Sequence, residues 1–246
     1  MSLVTRHSSL KTASRFTSNK NTREVADMFN RIAPQYDFLN RLLSFGRDKY
    51  WRRQLVKEVC KTRPQHILDV ATGTGDVAFL LYKKTKAKII GVDIAEGMLE
   101  IARKKQNKKA ESLSFLQATA TALPFPDHSF DAVTVAFGVR NFEDLHKGLQ
   151  EIRRVLKPGG MVAILEFTTP RRYPIKPLYR FYSACIIPLT GRIVSGHAIA
   201  YSYLPTTIAE FPQREKFIEI LNLLNFKESN YKTLTMGICG IYTAKR

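Results

Sequence analysis

Apolar positions along the chain follow two alternating rhythms. Between residues 66 and 168, short runs rich in Val, Ile, Leu and Phe recur at 66–72, 88–94, 113–119, 130–138 and 161–168, each of a length that suits one buried strand. Between most of them the apolar residues take helical spacing instead. Over Glu96–Lys105, Met98, Leu99, Ile101 and Ala102 share a face; over 144–156, Leu145, Leu149, Ile152 and Leu156 do the same. Acids lead both helices and basic residues close them, as the helix dipole favours. The KPGG at 157–160 ends the second. Strands alternating with helices predict an α/β fold built on a doubly wound, Rossmann-like parallel sheet.

The flanks depart from that rhythm. Residues 24–60 read as helices, with Val25, Met28 and Phe29 on one face and Trp51, Leu55, Val56 and Val59 on another. Between them lies IAPQYDFLNRLLSFGRDKYW, aromatic and turn-rich. Residues 170–210 carry Pro170, Pro174, Pro177, Pro188 and Pro205 and read as an insertion over the ligand edge of the sheet. An amphipathic helix follows at 214–225, then strands at 228–234 and 238–244 joined through Met236 and Gly237. An antiparallel hairpin at the end of an otherwise parallel sheet is a specific topological cue. The expected organisation is a single domain over 24–246, with a helical cap at 24–60 and the insertion before the last helix. Residues 1–23 contain no acid and little apolar content, which suits a disordered basic tail better than an amphipathic targeting segment.

Composition narrows the chemistry. The 246 residues include 39 basic and 21 acidic side chains, a formal charge of +18. Such a balance suits an anionic partner, whether nucleic acid, phospholipid headgroups or an acidic protein; a solvated Lys-rich surface accounts for it equally well. Cys60, Cys185 and Cys239 are far apart and form no CxxC or Cys/His spacing, so no metal is expected and a reducing, cytoplasmic setting is. No apolar run approaches the roughly 20 residues of a membrane span.

The chemistry concentrates in LDVATGTGDVAFLL, residues 68–81, a strand, a glycine turn and a helix start. Two readings compete. Gly73-x-Gly75-x-x-Ala78 with Asp93 at the end of the next strand matches the dinucleotide fingerprint of an NAD-dependent oxidoreductase. The acids Asp69 and Asp76 beside the turn argue against a pyrophosphate, since like charges in a partly dry site are costly. S-Adenosyl-L-methionine carries a sulfonium, an ammonium and one carboxylate, so acids beside a glycine turn suit it. Its expected contacts are Asp69, Gly73, Thr74 and Gly75 at the loop and Asp93 at the ribose hydroxyls. The C-terminal hairpin also favours a class I methyltransferase sheet. For the acceptor, the charge invites nucleic acid. Yet AFGVRNFED after the fourth strand lacks the proline turn of adenine amino methylation, and no cysteine between 61 and 184 could serve cytosine C5 chemistry. An RNA ring nitrogen or oxygen remains open.

Four stretches add a resemblance. YDFLNRLLSFGRDKYW (36–51), ALPFPDHSFDAVTVAFGVRNFED (122–144), RVLKPGGMVAILEFT (154–168) and YSYLPTTIAEFP (201–212) resemble the ubiquinone/menaquinone biosynthesis C-methyltransferase family over about residues 24–246. The pattern departs at Leu39, where the family has Met, at Asp48, where it has His, at Thr168 in place of Ser, and at Ala136, a position often Ser. Thr119 stands where Asn or Asp often holds the adenine amino group, so its hydroxyl and the backbone of Ala120 take that role here. The resemblance implies methyl transfer to a ring carbon of a polyprenyl quinol, either demethylmenaquinol or a methoxy-benzoquinol precursor of ubiquinone, with no nucleic acid partner. It also fits peripheral contact of the basic surface with an anionic membrane, on its inner face, and leaves a homodimer open. A run of Leu178, Tyr179, Phe181, Tyr182, Ile186, Ile187 and Leu189 suits an isoprenoid tail, or ordinary core packing. Arg140 and Asn141, after the fourth strand, are assigned to the acceptor: Arg140 to a developing phenolate, Asn141 to orienting a quinol oxygen or a water. The alternative for Arg140 is an ion pair with Glu143 or Asp144. Tyr36, His197, Tyr201 and Tyr203 are second-rank candidates for proton relay or ring packing.

Overall fold

The computed structural model describes residues 21–106, 111–186 and 198–246. The predicted sheet is present. Strands β1 (His66–Val70), β2 (Lys88–Asp93), β3 (Leu113–Gln117), β4 (Phe130–Ala136), β5 (Leu156–Phe167), β6 (Lys227–Leu234) and β7 (Cys239–Lys245) form one sheet in the order 3-2-1-4-5-7-6, with β7 antiparallel to both its neighbours. Side chains alternate across it. Leu68, Val70, Val133 and Val162 face one apolar layer, closed by helices α5 (Leu145–Val155) and α8 (Glu215–Leu223). Ile67, Ile89, Ala132 and Ala163 face the other, closed by α2 (Arg47–Cys60) and α3 (Asp76–Lys84). The strand order reverses between β1 and β4, so the carboxyl ends of these two strands bound the crevice where open α/β sheets bind ligands.

Two expectations are corrected. The turn-rich stretch after residue 32 is not a break: α1 runs from Thr22 to Leu43 straight through Pro34. Proline removes one helical hydrogen bond. Its neighbours Ile32 and Ala33, with Leu39, offset that loss by packing on Ala95 and Met98 at the start of α4 (Glu96–Lys105). Past its end, Gly46, at φ 72°, donates its amide to the Arg41 carbonyl and closes the last turn. Second, KPGG does not separate helix from strand. Asp144 caps α5 by accepting from the Lys147 amide at 3.0 Å, and β5 begins already at Leu156 opposite Phe130, with an irregularity in register before Met161. Gly159 at φ 76° and Gly160, packed against the Asp131 carbonyl, let the strand continue through that bulge. The proline-rich stretch, read as an insertion, contains helices: α6 (Ile175–Phe181), a π-helical turn (Tyr182–Ile186), and α7 (Ala198–Glu210) with Pro205 inside it. Ile187, Leu189 and His197 lie outside the described residues, as do residues 1–20 of the basic tail and the side chain of Tyr201.

Candidate active site

Both strand ends at the crevice are conformationally unusual. Ala71, just past β1, and Phe137, just past β4, have φ of 53° and 58°. Residues other than glycine avoid this region, and it collects at functional sites. Gly138 then passes so close to the Ala71 side chain that no Cβ fits there. Two adjoining cavities open from this point and share Phe29, Tyr36 and Phe137.

The first cavity, of roughly 700 Å³ including its mouth, is walled by Val70, Ala71, Gly73, Asp93, Thr119 and Ala120 and roofed by the start of α1. Asp93 is its polar anchor. One carboxylate oxygen accepts from the Gly73 amide at 2.8 Å and the other from the Ala95 amide at 2.9 Å. Each oxygen keeps a lone pair for a ligand, which suits a vicinal diol. Burial raises its pKa, and these amide bonds pull it back down. Thr119 and Ala120 stand at the far wall, where Thr119 pairs its hydroxyl with that of Thr121.

The loop acids act differently from the charge argument made for them. Asp69 points beneath the loop, onto the α2 and α3 face. It accepts from Thr72 Oγ1 at 2.6 Å and from Thr134 Oγ1 at 2.5 Å, and burial lifts its pKa to about 6. Asp76 lies 3.8 Å from Arg52 and 3.4 Å from Lys105, so its charge is balanced. Thr74 donates to Asp37 at 2.6 Å and is buried. Gly75, at φ 84°, opens α3 where any Cβ would strike Phe79 and Phe115. Of the loop residues singled out, Gly73 alone lines the cavity; Asp69, Thr74 and Gly75 shape the turn that presents it.

The second cavity, of roughly 950 Å³, is aromatic. Phe137 and Phe167 stack in it at 4.4 Å, with Trp51 edge-on to both. The guanidinium of Arg52 lies 5.6 Å over the Phe137 ring, and that of Arg140 lies 5.6 Å over Phe167. Each cation has its own buried carboxylate. Arg52 binds Asp48 at 2.6 Å; Arg140 binds Glu166 at 2.8 Å and donates to the Phe137 carbonyl. Arg140 thus pairs with Glu166 and not with Glu143 or Asp144. Tyr36, Tyr179, Tyr182 and Tyr203 complete the wall. Burial pushes Tyr179 and Tyr203 up to about 12 and raises Tyr36, with Arg140 opposing the rise at all three. At neutral pH these phenols therefore keep their protons and are available as hydrogen-bond donors. The Tyr203 hydroxyl is buried with no hydrogen-bond partner among the described residues.

Asn141 and Arg140 sit on one 3₁₀ turn (Val139–Asn141) but face different cavities. Arg140 lines the second; Asn141 lines the first, its Oδ1 buried without a partner among the described residues. Arg52 and its counterpart acid Glu166 are residues that the sequence reading missed, and Asp48, given no role there, holds Arg52. One signal was available for Glu166: it is the lone acid in the apolar run MVAILEF, at the carboxyl end of a central strand. Of the aromatic run, Tyr179 and Tyr182 face the cavity, while Leu178 and Phe181 face solvent and pack in no core.

Comparison with known proteins gives a consistent picture. The model of the ubiE/COQ5 methyltransferase family matches residues 16–246. A demethylmenaquinone methyltransferase of Bacteroides fragilis is 47% identical over 92% of this chain and 94% of its own length. The ubiquinone/menaquinone biosynthesis C-methyltransferase UbiE of Geobacter sulfurreducens is 45% identical over 90% of this chain and 88% of its own. Among solved structures, an S-adenosylmethionine-dependent methyltransferase of Thermotoga maritima, possibly acting on histamine, superposes with a TM-score of 0.60 at 20% identity, covering 89% of this chain and 98% of that one. A phosphoethanolamine N-methyltransferase of Haemonchus contortus with bound S-adenosylmethionine superposes with a TM-score of 0.57 at 16% identity, over 78% of this chain and 52% of that one. These two likenesses show the fold, that of class I methyltransferases.

Proposed function

The chain belongs to the ubiE/COQ5 methyltransferase family, and on that premise we propose that it methylates a ring carbon of demethylmenaquinol, the ring lying beside Arg140 in the aromatic cavity. It is an S-adenosylmethionine-dependent methyltransferase of quinone biosynthesis. The relatives favour neither RNA methylation nor NAD-dependent oxidoreduction. The observation that supports the acceptor's location is the junction: a cavity anchored by the Asp93 carboxylate opens through Phe29, Tyr36 and Phe137 into an aromatic one with two fixed cations.

S-Adenosylmethionine, when bound, supplies a methyl group on a sulfonium. Asp93 would hold the ribose hydroxyls, and Thr119 and the Ala120 backbone the adenine edge, with the Gly73 turn allowing close approach. Asn141 would accept a hydrogen bond on the cofactor's side of the junction. On the acceptor's side, a quinol carbon becomes nucleophilic as its neighbouring hydroxyl gives up a proton. Arg140, already fixed by Glu166 and the Phe137 carbonyl, stabilises that phenolate without reorganising. Tyr36 and Tyr203 donate to quinol oxygens, and the Phe137–Phe167 stack packs on the ring. The +18 charge supports contact with an anionic membrane surface, where each Lys or Arg contributes about 1 kcal/mol. No helix among the described residues is long and apolar enough to cross a membrane.

The test is incubation with methyl-labelled S-adenosylmethionine and short-chain demethylmenaquinol kept reduced, in parallel with the methoxy-benzoquinol. Label in the naphthoquinol ring is expected. Label in the benzoquinol alone moves the acceptor, and label in neither, with RNA added to a parallel incubation labelled instead, overturns the reading.

A further inference from the structure

We propose that the outer faces of α1's C-terminal end and of α6 form a lipid-docking surface whose occupant is an anionic phospholipid bilayer, which sets the second cavity against the membrane. The inference rests on reading that cavity as the site of a prenylated quinol. Phe38 and Leu42 lie one turn apart on α1, with Phe45 just beyond its end; they are 59%, 45% and 81% exposed. Leu178 and Phe181, one turn apart on α6, are 65% and 61% exposed. The two stripes are joined. Tyr182, next after Phe181, has its ring 6.0 Å from that of Phe45, and its hydroxyl donates to the Leu43 carbonyl at 2.5 Å. Single exposed apolar side chains are ordinary, but five on two linked elements are not.

The same two elements line the cavity with their inner faces, through Leu43 and Ser44 on one side and Tyr179 and Tyr182 on the other. A tail leaving the cavity between them meets the apolar surface directly. The charge on this face has one sign. Over residues 38–53 the sole acid is Asp48, which is buried, and residues 171–186 contain no acid. Arg41, Arg47, Lys49, Lys176 and Arg180 are exposed around the apolar stripe. Apolar side chains ringed by cations match the boundary between acyl chains and anionic headgroups. A second copy of the chain would set cation against cation, and nucleic acid would leave Leu42 and Leu178 without a partner.

Flotation with vesicles tests this on the full chain. Vesicles of phosphatidylglycerol and phosphatidylcholine should take up the protein at least about tenfold better than phosphatidylcholine alone, and salt should weaken the uptake. The variant Phe38→Gln/Leu178→Gln/Phe181→Gln should lose about tenfold or more of this binding while keeping turnover of a soluble short-chain quinol, which shows that it is folded. A second variant, Arg41→Glu/Arg180→Glu, leaves the apolar stripe intact and should lose uptake by the anionic vesicles. Unchanged flotation of either variant overturns the proposal. So does a parent protein that methylates soluble quinol yet ignores anionic vesicles, or that sediments as a dimer which the glutamine variant dissociates. Normal flotation without quinol methylation would sustain the docking face and remove the acceptor reading.

Discussion

The two cavities share three side chains, yet they are built by different means. The first, proposed for the cofactor, is made of strand ends and the turns after them: Ala71 and Gly73 after β1, Asp93 at the end of β2, Thr119 and Ala120 after β3, Gly138 after β4. Its carboxylate anchor is held by amides of the two neighbouring strand ends, and one long-range bond, from the Thr22 hydroxyl to Glu143, ties the start of α1 over it. The second, proposed for the acceptor, is made of helix faces from α1, α2, α6 and α7 brought over a pair of stacked rings. One of its two cations, Arg52, is held by Asp48 one turn back on the same helix; the other, Arg140, is held by Glu166, which the fold delivers from the end of β5. The first design fixes a ligand through backbone geometry. The second depends on buried charge pairs, which are costly to break and tolerant of paired removal. The two should therefore respond differently to mutation.

The largest effect is expected at Arg140. Arg140→Ala leaves Glu166 fully buried and unpaired, so it should cost about 3–5 kcal/mol of stability in denaturant titration. Arg140→Gln with Glu166→Gln should recover most of that stability and still lower kcat by about 10²–10³, the cost of one oxyanion donor. If the single alanine variant is as stable as the parent, the ion pair is not what holds this cavity together.

Next is Asp69, the acid under the cofactor turn. Burial lifts its folded pKa to about 6, above the ordinary aspartate value of 3.8, so between these limits the folded state binds more protons than the unfolded one. Stability contributed by this group is full at low pH and declines as pH rises through that window. The decline is on the order of 3 kcal/mol. Asp69→Asn cannot titrate, so the difference in stability between parent and variant should change across pH 4–6. A constant difference would mean that Asp69 does not titrate in this window.

A smaller loss is expected at Asp93. Replacing it by alanine removes two hydrogen bonds to a charged acceptor and loosens the Gly73 turn; calorimetry should show S-adenosylmethionine binding about tenfold weaker or worse. The smallest change belongs to Tyr203→Phe. It should lower kcat/KM for the quinol about threefold to tenfold, as for one neutral hydrogen bond. It should also leave stability equal or slightly higher, because a buried hydroxyl without a partner among the described residues is removed. Reduced stability together with unchanged kinetics would make Tyr203 a packing residue.

The same contrast governs what could be read from the chain. Strand period, the glycine turn, the acid at the end of the next strand and the C-terminal hairpin are local patterns, and the sheet with its β1–β4 crevice follows from them. Local patterns also misled. Pro34 signals a helix end, yet packing of Ile32, Ala33 and Leu39 on α4 carries α1 through it. Asp69 and Asp76 signal an acidic wall, yet two threonine hydroxyls satisfy one and Arg52 with Lys105 balance the other. The acceptor cavity was the least legible part. Its walls come from residues 28–52, 137–167, 179–208 and 238, so no window of sequence contains it. Arg140 stood out by its position after β4, but its partner 26 residues away did not.

The division of labour between the cavities is tested most directly by measuring S-adenosylmethionine affinity in Arg140→Gln/Glu166→Gln beside Asp93→Ala. A guanidinium reserved for the acceptor contributes nothing to a cationic cofactor, so the double variant should bind S-adenosylmethionine within about twofold of the parent while its turnover collapses. The Asp93 variant should show the converse, with the loss in affinity. A double variant that binds the cofactor about tenfold more weakly, or that turns over quinol at the parent's rate, would contradict the separation of the two sites.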